Sequence, residues 1–307
     1  NSVGANYSLP LGYDGIRLSG GVNWLSYKIG KELSSSRAEG QALTFNLGVS
    51  YPLIRSRVRN VYLNGMLNNK ELEDQVVGYT VSNRMVNNLQ LGVSADQVDR
   101  WQGGGFSFGN LMLTMGRIDL NSIESDYLSD QQTAKVHGGY AVLGWTLTRL
   151  QRLPGNFTIF GQFRGQFADG NLDSSEQFSL GGPSGIRAYP SGEASGDEGW
   201  LLISDVRYDL QSAFKYGNVQ LSGFLDLGRT KLNDEPWPNS VANVSGKNSY
   251  SLAGIGFGAT LTKPGAYSAK LQLALPVGNN DGRDTNDKDS DGLSQELRLW
   301  VTASYQF

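Results

Sequence analysis

Glu296-Leu-Arg-Leu-Trp-Val-Thr-Ala-Ser-Tyr-Gln-Phe307 closes the chain, and its alternation decides the fold. Leu297, Leu299, Val301, Ala303, Tyr305 and Phe307 fall on one face. Glu296, Arg298, Trp300, Thr302, Ser304 and Gln306 fall on the other. A period of two over about ten residues is a β-strand long enough to cross a bilayer when tilted. The dyad recurs upstream: Phe157, Ile159, Phe163 and Phe167 alternate with Thr158, Gln162, Arg164 and Gln166. Val219, Leu221, Leu225 and Leu227 alternate with Gln220, Ser222 and Asp226, and Leu271, Leu273 and Leu275 with Lys270 and Gln272. A soluble sandwich would alternate too. Here, however, charges sit in strand centres on one face while the other is almost free of them. An arginine facing lipid near the midplane costs about 2–4 kcal/mol, whereas a watered lumen accepts it. The pattern predicts an all-β, transmembrane antiparallel barrel.

Composition agrees. The 40 glycines, 14 tyrosines and 12 phenylalanines suit an all-β chain with many turns. Mean hydropathy is −0.34, and no apolar run approaches the length of a membrane helix. The net charge of −3 and the lack of a basic stripe argue against nucleic acid as partner. With no cysteine, disulfides, thiolate metal sites and thiol nucleophiles are excluded. No signal peptide is evident, as expected of a mature chain or a fragment.

Connections alternate in length. Short turns are expected near Pro10-Leu-Gly12, Tyr51-Pro52, Trp101-Gln-Gly103, Leu153-Pro-Gly155, Phe214-Lys215 and Lys263-Pro-Gly265. Long polar loops are expected at 29–39, 69–84, 120–135, 169–199, 229–247 and 277–294. Bacterial outer-membrane barrels have this asymmetry, with short periplasmic turns and longer external loops. About thirteen strands are in view, the last ending on the short-turn side. Closed bacterial barrels use even numbers, so roughly three further strands before Asn1 would complete sixteen.

The longest loop is the most structured in composition. It contains Leu180-Gly-Gly-Pro-Ser-Gly-Ile-Arg187-Ala-Tyr189-Pro, then Gly192-Glu-Ala-Ser-Gly-Asp-Glu-Gly199. Loops this long in a compact domain are either disordered or functional. The stretch resembles the sixth external loop of the TpsB transporters, the haemolysin activation/secretion proteins of two-partner secretion systems. That family's motif is Val-Arg-Gly-Tyr or Val-Arg-Gly-Phe; Ile186-Arg187-Ala188-Tyr189 departs from it at the first and third positions. A glycine at the third would permit a left-handed backbone that alanine disfavours. A second family motif, Phe-x-Asp-x-Gly, is met by Phe224, Asp226 and Gly228. Tyr305-Gln-Phe307 resembles the terminal signal read by the barrel-assembly machinery. The resemblance covers essentially the whole chain.

It implies a sixteen-stranded barrel preceded by two periplasmic POTRA domains, neither within this chain. The loop at 169–199 would fold into the lumen, and Arg187 would latch onto Asp226, which the dyad places on the lumen face beside Gln220, Ser222 and Phe224. A planar guanidinium can hold a carboxylate bidentately, fixing orientation as well as position. Gly181, Gly182 and Gly185 would let the backbone turn, Pro183 and Pro190 would restrain it, and the Tyr189 hydroxyl would find a polar partner while its ring packs on the wall. The implied function is an outer-membrane pore of a Gram-negative bacterium. It would pass a large secreted TpsA-type exoprotein, of adhesin, haemolysin or haem-binding type, to the cell surface without ATP. Client folding outside would supply the drive, and the POTRA domains would capture the client by strand addition. Other expected partners are the barrel-assembly machinery, outer-membrane lipid and lipopolysaccharide, with the protein itself a monomer.

Competing chemistry is weaker. Asp287-Lys-Asp289-Ser-Asp291-Gly292 resembles the start of a calcium loop, but its twelfth position is Arg298 rather than a bidentate glutamate, so no metal is expected. His137 is the only histidine and precedes Gly138-Gly139, which suits a polar residue near an external loop rather than the base of an outer-membrane phospholipase. Gly254, Gly256 and Gly258 alternate along one strand and relieve crowding or bend it; they are no dinucleotide fingerprint. No cofactor or enzymatic activity is expected. A barrel-insertion factor of the same superfamily would share the arginine loop, and a diffusion porin would share only the barrel.

Overall fold

The computed structural model describes residues 1–28, 38–210, 216–294 and 296–306. Thirteen strands follow in chain order: β1 (Ser2–Leu11), β2 (Ile16–Lys28), β3 (Ala38–Arg55), β4 (Arg59–Val76), β5 (Tyr79–Asp99), β6 (Gly105–Asp119), β7 (Gly138–Arg152), β8 (Phe157–Ala168), β9 (Glu198–Asp209), β10 (Asn218–Lys231), β11 (Ser249–Lys263), β12 (Tyr267–Pro276) and β13 (Arg298–Tyr305). They form one antiparallel meander in which each strand pairs with its sequence neighbours. This is the up-and-down wall of a membrane β-barrel. The count agrees with the sequence reading.

The two faces separate as the dyad requires. Leu221 and Leu225 of β10, Leu271, Leu273 and Leu275 of β12, and Leu299 and Val301 of β13 all stay exposed. Those side chains form the belt that lipid would cover. The opposite face is polar and internally bonded: Asn68 Nδ2 donates to Asn88 Oδ1 (2.8 Å), Asn64 Nδ2 to Ser94 Oγ (3.0 Å) and Asn88 Nδ2 to the Tyr140 hydroxyl (3.1 Å). Cross-strand amide pairs suit a face that water, rather than hydrocarbon, reaches.

Two connections differ from expectation. Residues 69–84 are no loop: β4 and β5 continue as a long hairpin closed by Val77 (φ 53°) and Gly78 (φ 80°). Two successive positive φ values make the I′ turn that matches strand twist. Backbone pairing persists here although hydrophobic alternation stops: Glu71, Glu73, Asn83 and Asn87 interrupt the outward face, while Leu72 and Val86 pack on the inward one. The Asn69–Asn87 amide bond and the Arg84–Asp74 ion pair join its two arms. Tyr51-Pro52 lies inside β3, at a register shift between Pro52 and Ile54, and the turn follows at 56–58. A bulge is where an antiparallel strand tolerates proline. The expected turn at Phe214-Lys215 and most of the expected loop at 29–39 lie outside the described residues. The 120–135 loop holds a short helix, α1 (Glu124–Gln132), that alternation did not reveal.

Candidate functional site: the arginine loop and its strand partners

Residues 169–197 leave β8, fold onto the polar face and return to β9. Within them the backbone is tightly self-bonded: Ile186 N donates to Leu180 O (2.7 Å), Gly182 N to Tyr189 O (3.1 Å) and Leu180 N to Glu193 O (3.2 Å). Gly182 has a φ of 114°, open only to glycine at low cost. A side chain on Gly181 or Gly185 would overlap Pro190 O or Leu180 O. Leu180, Ile186, Ala188, Tyr189 and Ala194 then pack on Leu201 and Ile203 (β9), Phe224 (β10), Tyr250 and Leu252 (β11) and Ala274 (β12). This apolar contact holds the loop as a folded unit.

At its tip, Arg187 is only 3% exposed and Asp226 0%. Arg187 Nε and Nη2 donate to the two carboxylate oxygens of Asp226 (2.9 and 2.6 Å), and Arg187 N adds a third bond (3.0 Å). Nη2 also reaches Asp205 Oδ1 (2.7 Å), while Asp205 Oδ2 accepts from Arg207 (2.8 Å). With its amide oxygen turned to the loop, Gln272 accepts from Nη1 at 3.0 Å. The guanidinium lies 3.5 Å over the Phe224 ring, and Trp300 Nε1 donates to Arg187 O (2.8 Å). The paired carboxylates and the Phe224 face suit the charge and planarity of a guanidinium, while Trp300 holds the backbone at this position.

The register explains the Phe-x-Asp-x-Gly spacing. Phe224, Asp226 and Gly228 share the inner face of β10. Phe224 pairs across to Asp205 and Gly256, and Asp226 to Ile203 and Gly254. A Cβ on Gly228 would come within 2.9 Å of Leu180 and 3.1 Å of Ile186. A Cβ on Gly254 would come within 2.7 Å of Ala188, and one on Gly256 would strike the Phe224 ring. The alternating glycines therefore leave the space that the loop and Phe224 fill. Ala188 is absent from the positive-φ residues, so its departure from the family glycine meets no backbone barrier. Its methyl group rests against Gly254.

Two details depart from the sequence reading. The Tyr189 hydroxyl is buried without a hydrogen-bond partner among the described residues, and burial pushes its pKa up to about 12. The loop is also tied far from its tip. Lys70 Nζ reaches Glu176 (2.6 Å) and Arg84 reaches Asp173 (2.6 Å), joining it to the β4–β5 hairpin. Asp197 accepts from Leu172 N (3.1 Å), Gln177 Nε2 (2.9 Å) and Asp234 N (2.8 Å).

Other candidates fall elsewhere. Asp289 and Asp291 of the calcium-like segment are engaged by guanidinium groups, Asp289 by Arg283 and Arg298 and Asp291 by Arg298. His137 Nδ1 accepts from Leu120 N (3.2 Å) beside β7. Tyr305 ends β13 on the exposed apolar face, and Phe307 lies outside the described residues.

Residues 1–261 match the family model described as haemolysin secretion/activation protein ShlB/FhaC/HecB. The chain belongs to this family. It is 30% identical over 264 residues to the heme/hemopexin transporter protein HuxB of Haemophilus influenzae, which covers 84% of this chain and 45% of that protein. It is 24% identical over 245 residues to the outer membrane transporter CdiB of Dickeya dadantii, covering 74% of this chain and 40% of that protein. The chain thus spans under half the length of these curated relatives. Among solved structures, CdiB from Escherichia coli superposes with a TM-score of 0.78 at 21% identity, over 99% of this chain and 53% of that one. BamA from Haemophilus ducreyi lacking POTRA domains 1–3 gives 0.66 at 13% identity, over 99% and 62%. At such identities these two show the fold. This ShlB/FhaC/HecB-family chain is a β-barrel of the Gram-negative outer membrane.

In this family member, Asp205 is the partner that sequence reasoning missed. Leu201, Leu202 and Ile203 make β9 apolar on both faces where the loop covers it, so alternation fades just before Asp205.

Proposed function

We propose that this barrel is the pore of a two-partner secretion system, passing a secreted exoprotein from periplasm to surface, with residues 169–197 as an inward-folded latch. The observation that carries this reading is the buried Arg187 guanidinium held by Asp226 and Asp205. A water-filled barrel has no structural need for a loop fixed so firmly across its inner wall, whereas a pore that must stay shut at rest does. Family membership and the transporter names of the relatives support it. The client would be a TpsA-type adhesin, haemolysin or haem-binding protein, crossing without ATP. Three further strands and periplasmic POTRA domains would complete a monomeric transporter, itself assembled by the barrel-assembly machinery among lipid and lipopolysaccharide.

Barrel insertion of the BamA kind is the second reading, since that fold superposes as well. The family match favours secretion. The test is Arg187→Ala in the full-length protein, co-expressed with a TpsA-type exoprotein that the unsubstituted transporter exports. Removing one partner of a buried ion pair costs about 3–5 kcal/mol where water is excluded, and less in a wet lumen. We expect secretion to fall at least tenfold with unchanged transporter levels in the outer membrane. Normal secretion by this variant would refute the latch. Normal export of the client accompanied by defects in other barrels would favour the insertion reading.

A further inference from the structure

The loop's second buried carboxylate, Glu193, lies outside the arginine motif and is only 2% exposed. Its Oε1 accepts from Asn280 Nδ2 (2.6 Å) and its Oε2 from Ser290 N (2.7 Å). Both donors belong to the connection between β12 and β13. Asn280 Nδ2 also donates to Asp289 Oδ1 (3.1 Å). Asp289 in turn accepts from Arg283 Nε (3.1 Å) and Arg298 Nη2 (3.1 Å), and Arg298 Nη1 donates to Asp291 Oδ2 (2.7 Å). The series Glu193–Asn280–Asp289–Arg298 is continuous, and Asn280, Asp289 and Arg298 are all buried. It ends on the first residue of β13. Two residues on, on the same face, Trp300 holds Arg187 O. The last strand therefore holds the loop directly at its tip and, through Asp289 and Asn280, at its return.

We propose that Glu193 is a second positioning residue for the pore loop: the β12–β13 connection clamps it from outside, and the loop leaves its seat only when both the Arg187 and the Glu193 ties are broken. This inference rests on the latch reading above. The two ties differ in kind. Arg187 is held by opposite charges, whereas Glu193 is held by two neutral donors, an amide and a backbone N–H. Arg283 of the β12–β13 connection and Arg298 at the start of β13 occupy Asp289 and Asp291 of the calcium-like segment. Those cations are thus taken up by the segment's own aspartates, and among the described residues the connection offers the carboxylate two neutral donors, Asn280 Nδ2 and Ser290 N–H. A carboxylate accepts at both oxygens; a glutamine accepts at one and would set its NH2 against a donor.

Glu193→Gln keeps the shape and removes one bond. A hydrogen bond to a charged group is worth enough to shift an opening equilibrium about tenfold. The experiment is single-channel recording of the full-length protein in planar lipid bilayers, comparing Glu193→Gln, Asn280→Ala and Arg187→Ala. Retention of heat-modifiable mobility on gels confirms that each barrel is folded. We expect Glu193→Gln and Asn280→Ala each to raise the open fraction about tenfold. Their double variant should open no more than the stronger single, because they cut one tie. Glu193→Gln combined with Arg187→Ala should exceed either alone. If Arg187→Ala opens the channel and both Glu193→Gln and Asn280→Ala leave it shut, the second tie is overturned and the latch stands. If only the Glu193 and Asn280 variants open it, the arginine latch falls, and the two-tie proposal that rests on it falls too. Additive effects of Glu193→Gln and Asn280→Ala would also overturn the proposal, since the two would not act as a pair. Should Glu193→Gln fail to assemble, Asn280→Ala carries the same expectation with the carboxylate intact.

Discussion

At the scale of single residues, the loop seat is built as much by missing side chains as by present ones. Gly228 is the clearest case, because Leu180 and Ile186 occupy the space where its Cβ would project. Forcing a methyl group into a packed site costs about 1–3 kcal/mol. Gly228→Ala should therefore make the loop cleavable by added protease in intact cells while the barrel still assembles. Tyr189 works the other way. Its hydroxyl is buried without a partner among the described residues, so Tyr189→Phe removes a desolvated polar group and should leave thermal stability unchanged or slightly raised in a melting experiment. The expectation that Arg187 meets Asp226 came from the resemblance to the TpsB transporters, whose two motifs are each short enough to be recognised locally. The sequence could not place Asp205, whose strand loses its alternation where the loop lies over it, nor Glu193, whose partners are more than eighty residues away and belong to an irregular connection.

Among elements, the β4–β5 hairpin shows where alternation stops being informative. Its membrane part alternates and was legible. In its outer part Glu71, Glu73, Asn83 and Asn87 interrupt the apolar face, and the ladder there could be recognised only from the two-residue turn at Val77-Gly78. Both arms of the hairpin hold the loop, β4 through Lys70–Glu176 and β5 through Arg84–Asp173. An epitope inserted between Val77 and Gly78 adds length to a loop, which costs little, since each doubling adds only about 0.6 kcal/mol. Antibody should label whole cells carrying such an insertion, at normal barrel levels. Failure to label would place the hairpin on the periplasmic side and invert the assigned orientation. Asp197 gathers the loop's base. Burial pushes its carboxyl above the usual range, despite the Gln177 and backbone bonds that pull it down. A folded-state pKa above the unfolded one means that the folded form binds the proton more tightly. Mild acid therefore does not weaken this junction; stability declines as pH rises from the unfolded value through the raised one.

For the whole molecule, thirteen strands, their antiparallel order and the division of faces were all legible in period two, because a barrel wall repeats one rule. The face assignment has a direct test. Leu225 lies on the exposed apolar face of β10 and Ser222 on the polar one. Leu225→Arg should cost about 2–4 kcal/mol and lower the folded fraction on unboiled gels, whereas Ser222→Arg should not. Equal effects would contradict the assignment. The carved seat also bears on how this molecule could be re-engineered. The loop fills hollows left by Gly228 and Gly254 in two neighbouring strands, and the Phe224 ring that underlies Arg187 fills the one at Gly256, so the loop is not a portable cassette. Transplanted into a related barrel, residues 177–197 should dock only if those three bare positions travel with them, which makes the loop and β10–β11 one inherited unit.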